Sequence, residues 1–119
     1  MKAKWILSLL FALTISGTGV VWAQSSELQA LYDQFNQLSE SEQYAKAIPV
    51  VQKMLELEAI EFGSESGEYS SSLAKLARLH QKEREFSKAE QFYKKSLAIR
   101  EKTLGPEHPD VATVLNNLA

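Results

Sequence analysis

Shifted by 42 residues, the chain matches itself. Leu31 falls on Leu73, and Leu73 on Leu115. Lys46-Ala47 falls on Lys88-Ala89, Gly63 on Gly105, and Leu76-Ala77 on Leu118-Ala119. Tyr44 with Phe86, Val51 with Tyr93 and Phe62 with Leu104 are conservative pairs. Small and apolar positions coincide while polar positions drift. Stacked copies of one supersecondary unit require this, because each copy buries the same face against its neighbour.

The unit is helical. Leu28, Leu31, Tyr32, Phe35 and Leu38 recur in steps of three and four, which places them on one helix face. This predicts a helix over 27–38, opened by a Ser26–Gln29 capping box. A second helix is expected over 44–62, with Tyr44, Ala47, Ile48, Val51, Met54, Leu55 and Ile60 inward. Pro49 allows a start as late as Ala47, since proline is tolerated only in a first turn. Gly63 stops it. A third helix over 68–81 buries Leu73, Leu76, Ala77, Leu79 and His80. A fourth over 86–104 packs through Phe86, Ala89, Phe92, Tyr93, Ser96, Leu97 and Ile99, and Gly105-Pro106 ends it. Pro109-Asp110 starts a fifth, with Asp110 as N-cap and Val111, Val114, Leu115 and Leu118 as its apolar stripe. A period near 42 also suits HEAT-type helices and propeller blades. Helical phasing throughout excludes the propeller.

Leu73-x-x-Leu76-Ala77-x-x-His80, followed by Ala89-x-x-x-Tyr93 and Ser96, resembles the tetratricopeptide repeat. LAIREKTLGPEHPDVA, residues 97–112, is similar to the 42-residue variant found in kinesin light chains and many bacterial proteins. The resemblance implies an all-α, right-handed α-solenoid of antiparallel helix hairpins. Repeat 1 covers about 27–68 and repeat 2 about 69–110. Residues 111–119 are either part of a third repeat or a capping helix. Repeat 1 departs from the pattern: Ser64-Glu65-Ser66-Gly67 stands where Pro106-Glu107-His108-Pro109 stands, and Gln34-Phe35 where Leu76-Ala77 stands.

The first 23 residues are a different material. Lys2 and Lys4 precede an apolar run from Trp5 to Ile15, and Val21-Trp22-Ala23 precedes Gln24. This pattern predicts a secretory signal peptide cut between Ala23 and Gln24. The alternative is an uncleaved anchor, although the apolar core is shorter than the roughly 20 residues of a spanning helix. Export to the bacterial periplasm, or secretion, follows as the expectation, with no membrane association after cleavage. Cleavage removes two lysines and no acid, taking the net charge from −2 to −4. That balance argues against nucleic acid as the main partner.

Catalytic chemistry finds little support. The absence of cysteine excludes disulfides, thiolate metal sites and a thiol nucleophile. Only His80 and His108 are available, and the first reads as a packing residue and the second as a loop residue. Ser70, Ser71 and Ser72 have no base placed near them by any motif. Glu56, Glu58 and Glu61 read as surface charge on a solvated helix. No phosphate loop, HExxH or calcium loop occurs. We expect no enzyme activity, cofactor or metal.

Binding remains. The resemblance implies a concave groove lined by the first helix of each hairpin, taking a protein or peptide ligand. It assigns Gln29, Tyr32 and Asn36, then Ser71, Ala74, Arg78 and Gln81, then Thr113 and Asn116 to that side. Lys75 and its counterpart Asn117 join the set. Tyr32, Asn36, Lys75, Arg78, Asn116 and Asn117 are the candidate contacts, with arginine or lysine pairing a carboxylate. The implied role is a scaffold or peptide-binding adaptor. Two rivals stand beside it: the non-catalytic N-terminal recruitment region of a longer enzyme, and an array that self-associates through its open C-terminal end.

Overall fold

A computed structural model describes the backbone of residues 18–118 and the side chains of residues 26–118. The expected positive n-region and apolar run of the leader lie outside the described residues. Five α-helices follow one another: α1 (Thr18–Glu40), α2 (Tyr44–Glu61), α3 (Gly67–Lys82), α4 (Phe86–Leu104) and α5 (Pro109–Leu118). No strand occurs among the described residues. Each helix packs on its neighbour in sequence. The Cα radius of gyration is 17.2 Å, against about 13 Å for a compact 100-residue domain. This is an all-α helical repeat.

The backbone repeats at the period of the sequence. Glu42 (φ 59°) and Arg84 (φ 63°), 42 residues apart, both take the left-handed conformation. The next residues, Gln43 and Glu85, donate their N–H groups to the carbonyls of Leu38 and His80 at 2.8 Å each. These tight turns fold α1 back onto α2 and α3 back onto α4. Gly63 (φ 97°) and Gly105 (φ 89°) end the second helix of each pair. Gly105 combines that φ with ψ 154°, a region that a side chain enters only at a cost. Gly105→Ala is expected to lose about 1–3 kcal/mol in a denaturant melt, although a Cβ there would meet nothing within 4 Å.

Several expected boundaries shift. α1 does not begin at a Ser26 capping box but runs unbroken from Thr18. Gln29 bonds Asp33 one turn on, at 3.1 Å. Cleavage after Ala23 would remove the first six residues of this helix. α2 starts at Tyr44 with Pro49 inside it. The bond proline forfeits is that of the Ala45 carbonyl, on an exposed stretch where water can satisfy it. Ser66 caps α3, its Oγ accepting from the Tyr69 N–H at 3.1 Å. Asp110 is not the cap of α5. It lies in the first turn, and its N–H donates to the His108 ring Nδ1 at 3.1 Å.

Two apolar clusters meet at α3. Leu28, Val51, Met54, Leu73, Leu76 and others fill the space between α1, α2 and α3. Ala77, Tyr93 and Val114 join α3, α4 and α5. Ala77 is fully buried, and its small side chain lets the helices approach. Ile60 and Phe86, expected inward, are instead exposed at 70% and 60%. Ile60 follows the exposed Lys53 and Glu56 by seven and four residues, so it falls on the outer face of α2. Leu115 on α5 is 47% exposed. Among the described residues no helix is long and apolar enough to cross a membrane.

Candidate functional site: an aromatic and cationic cleft between α1 and α3

α3 carries Lys75, Arg78 and Lys82 at steps of three and four, and the C-terminal half of α1 faces them with Phe35. Together with Glu40 and Tyr44 they line an open cleft of about 340 Å³. The aromatic rings carry the cations. The Lys75 ammonium sits 5.7 Å from the ring centres of both Tyr32 and Phe35. Lys82 lies 5.8 Å from the ring of Tyr44. Each such contact contributes about 0.5–1 kcal/mol at an exposed site. Its larger effect here is to hold a charge where a flexible stem would otherwise let it wander. Arg78 is exposed and forms no salt bridge among the described residues, so its guanidinium fork is free.

A second, smaller cleft of about 160 Å³ lies one repeat on, lined by Gln81, Phe86, Tyr93, Asn117 and Leu118 among others. Phe86 and Asn117 are the 42-residue counterparts of Tyr44 and Lys75. The wall positions therefore repeat while their charge does not.

Beneath the first cleft is a buried polar cluster. Glu58 of α2 is 1% exposed, which overturns the surface-charge expectation for this residue. Its Oε2 accepts from the Tyr32 hydroxyl at 2.7 Å and the Ser72 Oγ at 2.9 Å. Its Oε1 is buried with no hydrogen-bond partner. Burial pushes the Glu58 carboxyl above the ordinary range, against the two hydrogen bonds and the nearby Lys75 charge. Burial likewise lowers the Lys75 ammonium, and Glu58 works against that fall. The Tyr32 hydroxyl is raised by burial and then by its bond to Glu58. Ser70 and Ser72 are fully buried rather than on a free helix face.

The 42-residue counterpart of Glu58 is Arg100, which also points at α3. Its Nη2 donates to Ser71 Oγ at 2.9 Å, and its Nη1 lies 3.5 Å from Asp110. Asp110 is the counterpart of Glu68. The α4–α5 junction thus joins opposite charges, whereas Glu68 faces Glu58 as a like charge and raises it.

The sequence-assigned contacts are dispersed. Lys75 and Arg78 share the first cleft, and Tyr32 lies beneath Lys75 with its hydroxyl committed to Glu58. Asn117 lines the second cleft. Asn36 and Asn116 are exposed and line neither. Ser71 is taken by Arg100, and Gln81 accepts from the Tyr93 hydroxyl at 3.3 Å. Phe35, Tyr44 and Lys82 were not foreseen as site residues. Lys82 completes a visible row with Lys75 and Arg78, a pattern that alone marks one helix face. His80 stacks on Phe92 at 5.5 Å and bonds Glu85 at 3.1 Å, a packing role. No group of residues suited to holding a metal ion occurs among the described residues.

Helix hairpins repeating at 42 residues define a helical-repeat protein. Residues 70–110 match the tetratricopeptide repeat family model, which supports a tetratricopeptide repeat protein. The match is consistent with the kinesin-light-chain-like form of the repeat. No match was found among the curated proteins. Tetratricopeptide repeats are protein-interaction elements and are typically non-catalytic.

Proposed function

We propose that this chain is an exported peptide-binding module, and that the α1–α3 cleft takes an extended peptide bearing carboxylates. The observation that carries the reading is the cleft itself: three cations on one face of α3, two held over aromatic rings and one free. A preordered cation loses little freedom when an anion arrives, and a free guanidinium offers a bidentate partner. Phe35 and Tyr44 supply apolar walls for neighbouring side chains. Export rests on the lysine-flanked apolar run and the Ala23–Gln24 junction. N-terminal sequencing after bacterial expression would return Gln24 as the first residue.

The site is tested by measuring a panel of acidic and neutral peptides against wild type and Arg78→Ala. Acidic peptides should lose roughly tenfold or more in affinity with the variant, the cost of one charge-assisted contact. Equal affinity for both proteins would remove the cleft from consideration.

A further inference from the structure

We propose that Glu58 is a proton-operated gate on the charge of the α1–α3 cleft: charged, it holds Lys75 as its own counter-ion, and neutral, it releases Lys75 to an anionic peptide. This rests on the proposed peptide-binding role of the cleft and adds a regulation to it. The geometry supplies the parts. Glu58 is buried between three helices, and its Oε2 already accepts two hydrogen bonds. Its Oε1 has no hydrogen-bond partner. A proton on Oε1 therefore breaks no hydrogen bond. Tyr32 and Ser72 keep donating to Oε2, and the helices need not move. Only the charge changes. Lys75 is the group placed to report it: it lines the cleft, and its ammonium sits 5.7 Å from the ring centre of Tyr32, whose hydroxyl donates to Glu58.

Burial favours the neutral form, and the surrounding charges act in both directions. From α3, Glu68 opposes the Glu58 charge and Lys75 supports it. From α1 the facing group is Tyr32, a neutral donor. On α2 itself, Glu61 adds negative charge near Tyr32. From α4, Arg100 acts on Lys75 as a like charge. Glu40 is the one carboxylate among the cleft-lining residues. Burial moves Glu58 upward, so the gate opens as pH falls through a value above the usual carboxylate range.

The test uses the whole chain and a peptide of four cysteic acid residues, whose sulfonates keep their charge throughout. Calorimetry should show wild type binding roughly three- to tenfold tighter at about pH 5 than at about pH 8, the effect of removing one like charge. Glu58→Gln should bind with the tighter constant at both values. Arg78→Ala should bind weakly at both. Wild-type binding that ignores pH yet collapses in Arg78→Ala overturns the gate and keeps the cleft. Binding unaffected by Arg78→Ala, or absent throughout, overturns both. A direct readout covers a variant that fails to fold: in wild type the Lys75 Cε resonance should shift with the Glu58 carboxyl titration, and a flat response overturns the gate.

Discussion

Leu76→Ala is expected to be the most damaging single substitution, costing about 3 kcal/mol. Leu76 is 1% exposed at the middle of α3, where it fills the space between the first three helices. Its loss removes the transfer energy of the side chain and leaves a void. The neighbours are helices tied by short turns and can close it only in part. For a domain of this size, 3 kcal/mol lowers the melting temperature by about 12–20 °C. The damage should spread in both directions, because Ala77 beside it belongs to the second cluster. Circular dichroism melts measure the effect, with exposed Ile60→Ala as the control, expected within about 0.5 kcal/mol of wild type. A shift for Leu76→Ala no larger than the control's would mean that α3 is not the shared wall of both clusters.

Glu58→Gln is expected to act in the opposite direction at neutral pH. The folded chain holds the Glu58 carboxyl above its unfolded value. Such a group stabilises fully below the unfolded pKa, and that contribution is lost as pH rises through the folded pKa. At about pH 8 the carboxylate is charged and buried, and its neutral isostere should be more stable by about 1–2 kcal/mol. Toward about pH 4 the difference should vanish, because glutamate is then neutral as well. The variant should therefore lack the stability that wild type gains as pH falls, so its advantage should shrink steadily from about pH 8 toward about pH 4. Glu85 and Glu90 are lowered by hydrogen bonds to His80 and Lys94. They slope the other way in both proteins and cancel in the comparison. Parallel curves would mean that Glu58 carries no buried charge.

The repeat and its hairpins were legible in the sequence because the residues that make them are constrained at each copy. Gly63 and Gly105 adopt positive φ at matched stops, and α4 has the expected bounds, Phe86–Leu104. The start of α1 was not legible. Gln24-Ser25-Ser26 looks like a polar cap, yet side-chain propensity there is too weak to break a helix already running from Thr18. Glu58 was misplaced although its position was informative. It follows Val51, Met54 and Leu55 by seven, four and three residues, so it lies on the buried face of α2. A glutamate between Glu56 and Glu61 invites grouping by charge, and grouping by phase would have put it inside. The cleft was half legible. Lys75 and Arg78 could be assigned from repeat position, but Phe35 and Tyr44 read only as core residues. They are partly buried against the core, and each ring also has a lysine ammonium over it.

The central claim is that the α1–α3 cleft is the ligand surface, and amide and methyl NMR maps it most directly. Labelled protein titrated with an acidic peptide should show shifts concentrated at Phe35, Tyr44, Lys75, Arg78 and Lys82, with the α2 and α4 faces away from the cleft unmoved. Shifts centred on another surface, or none at saturating peptide, would contradict it.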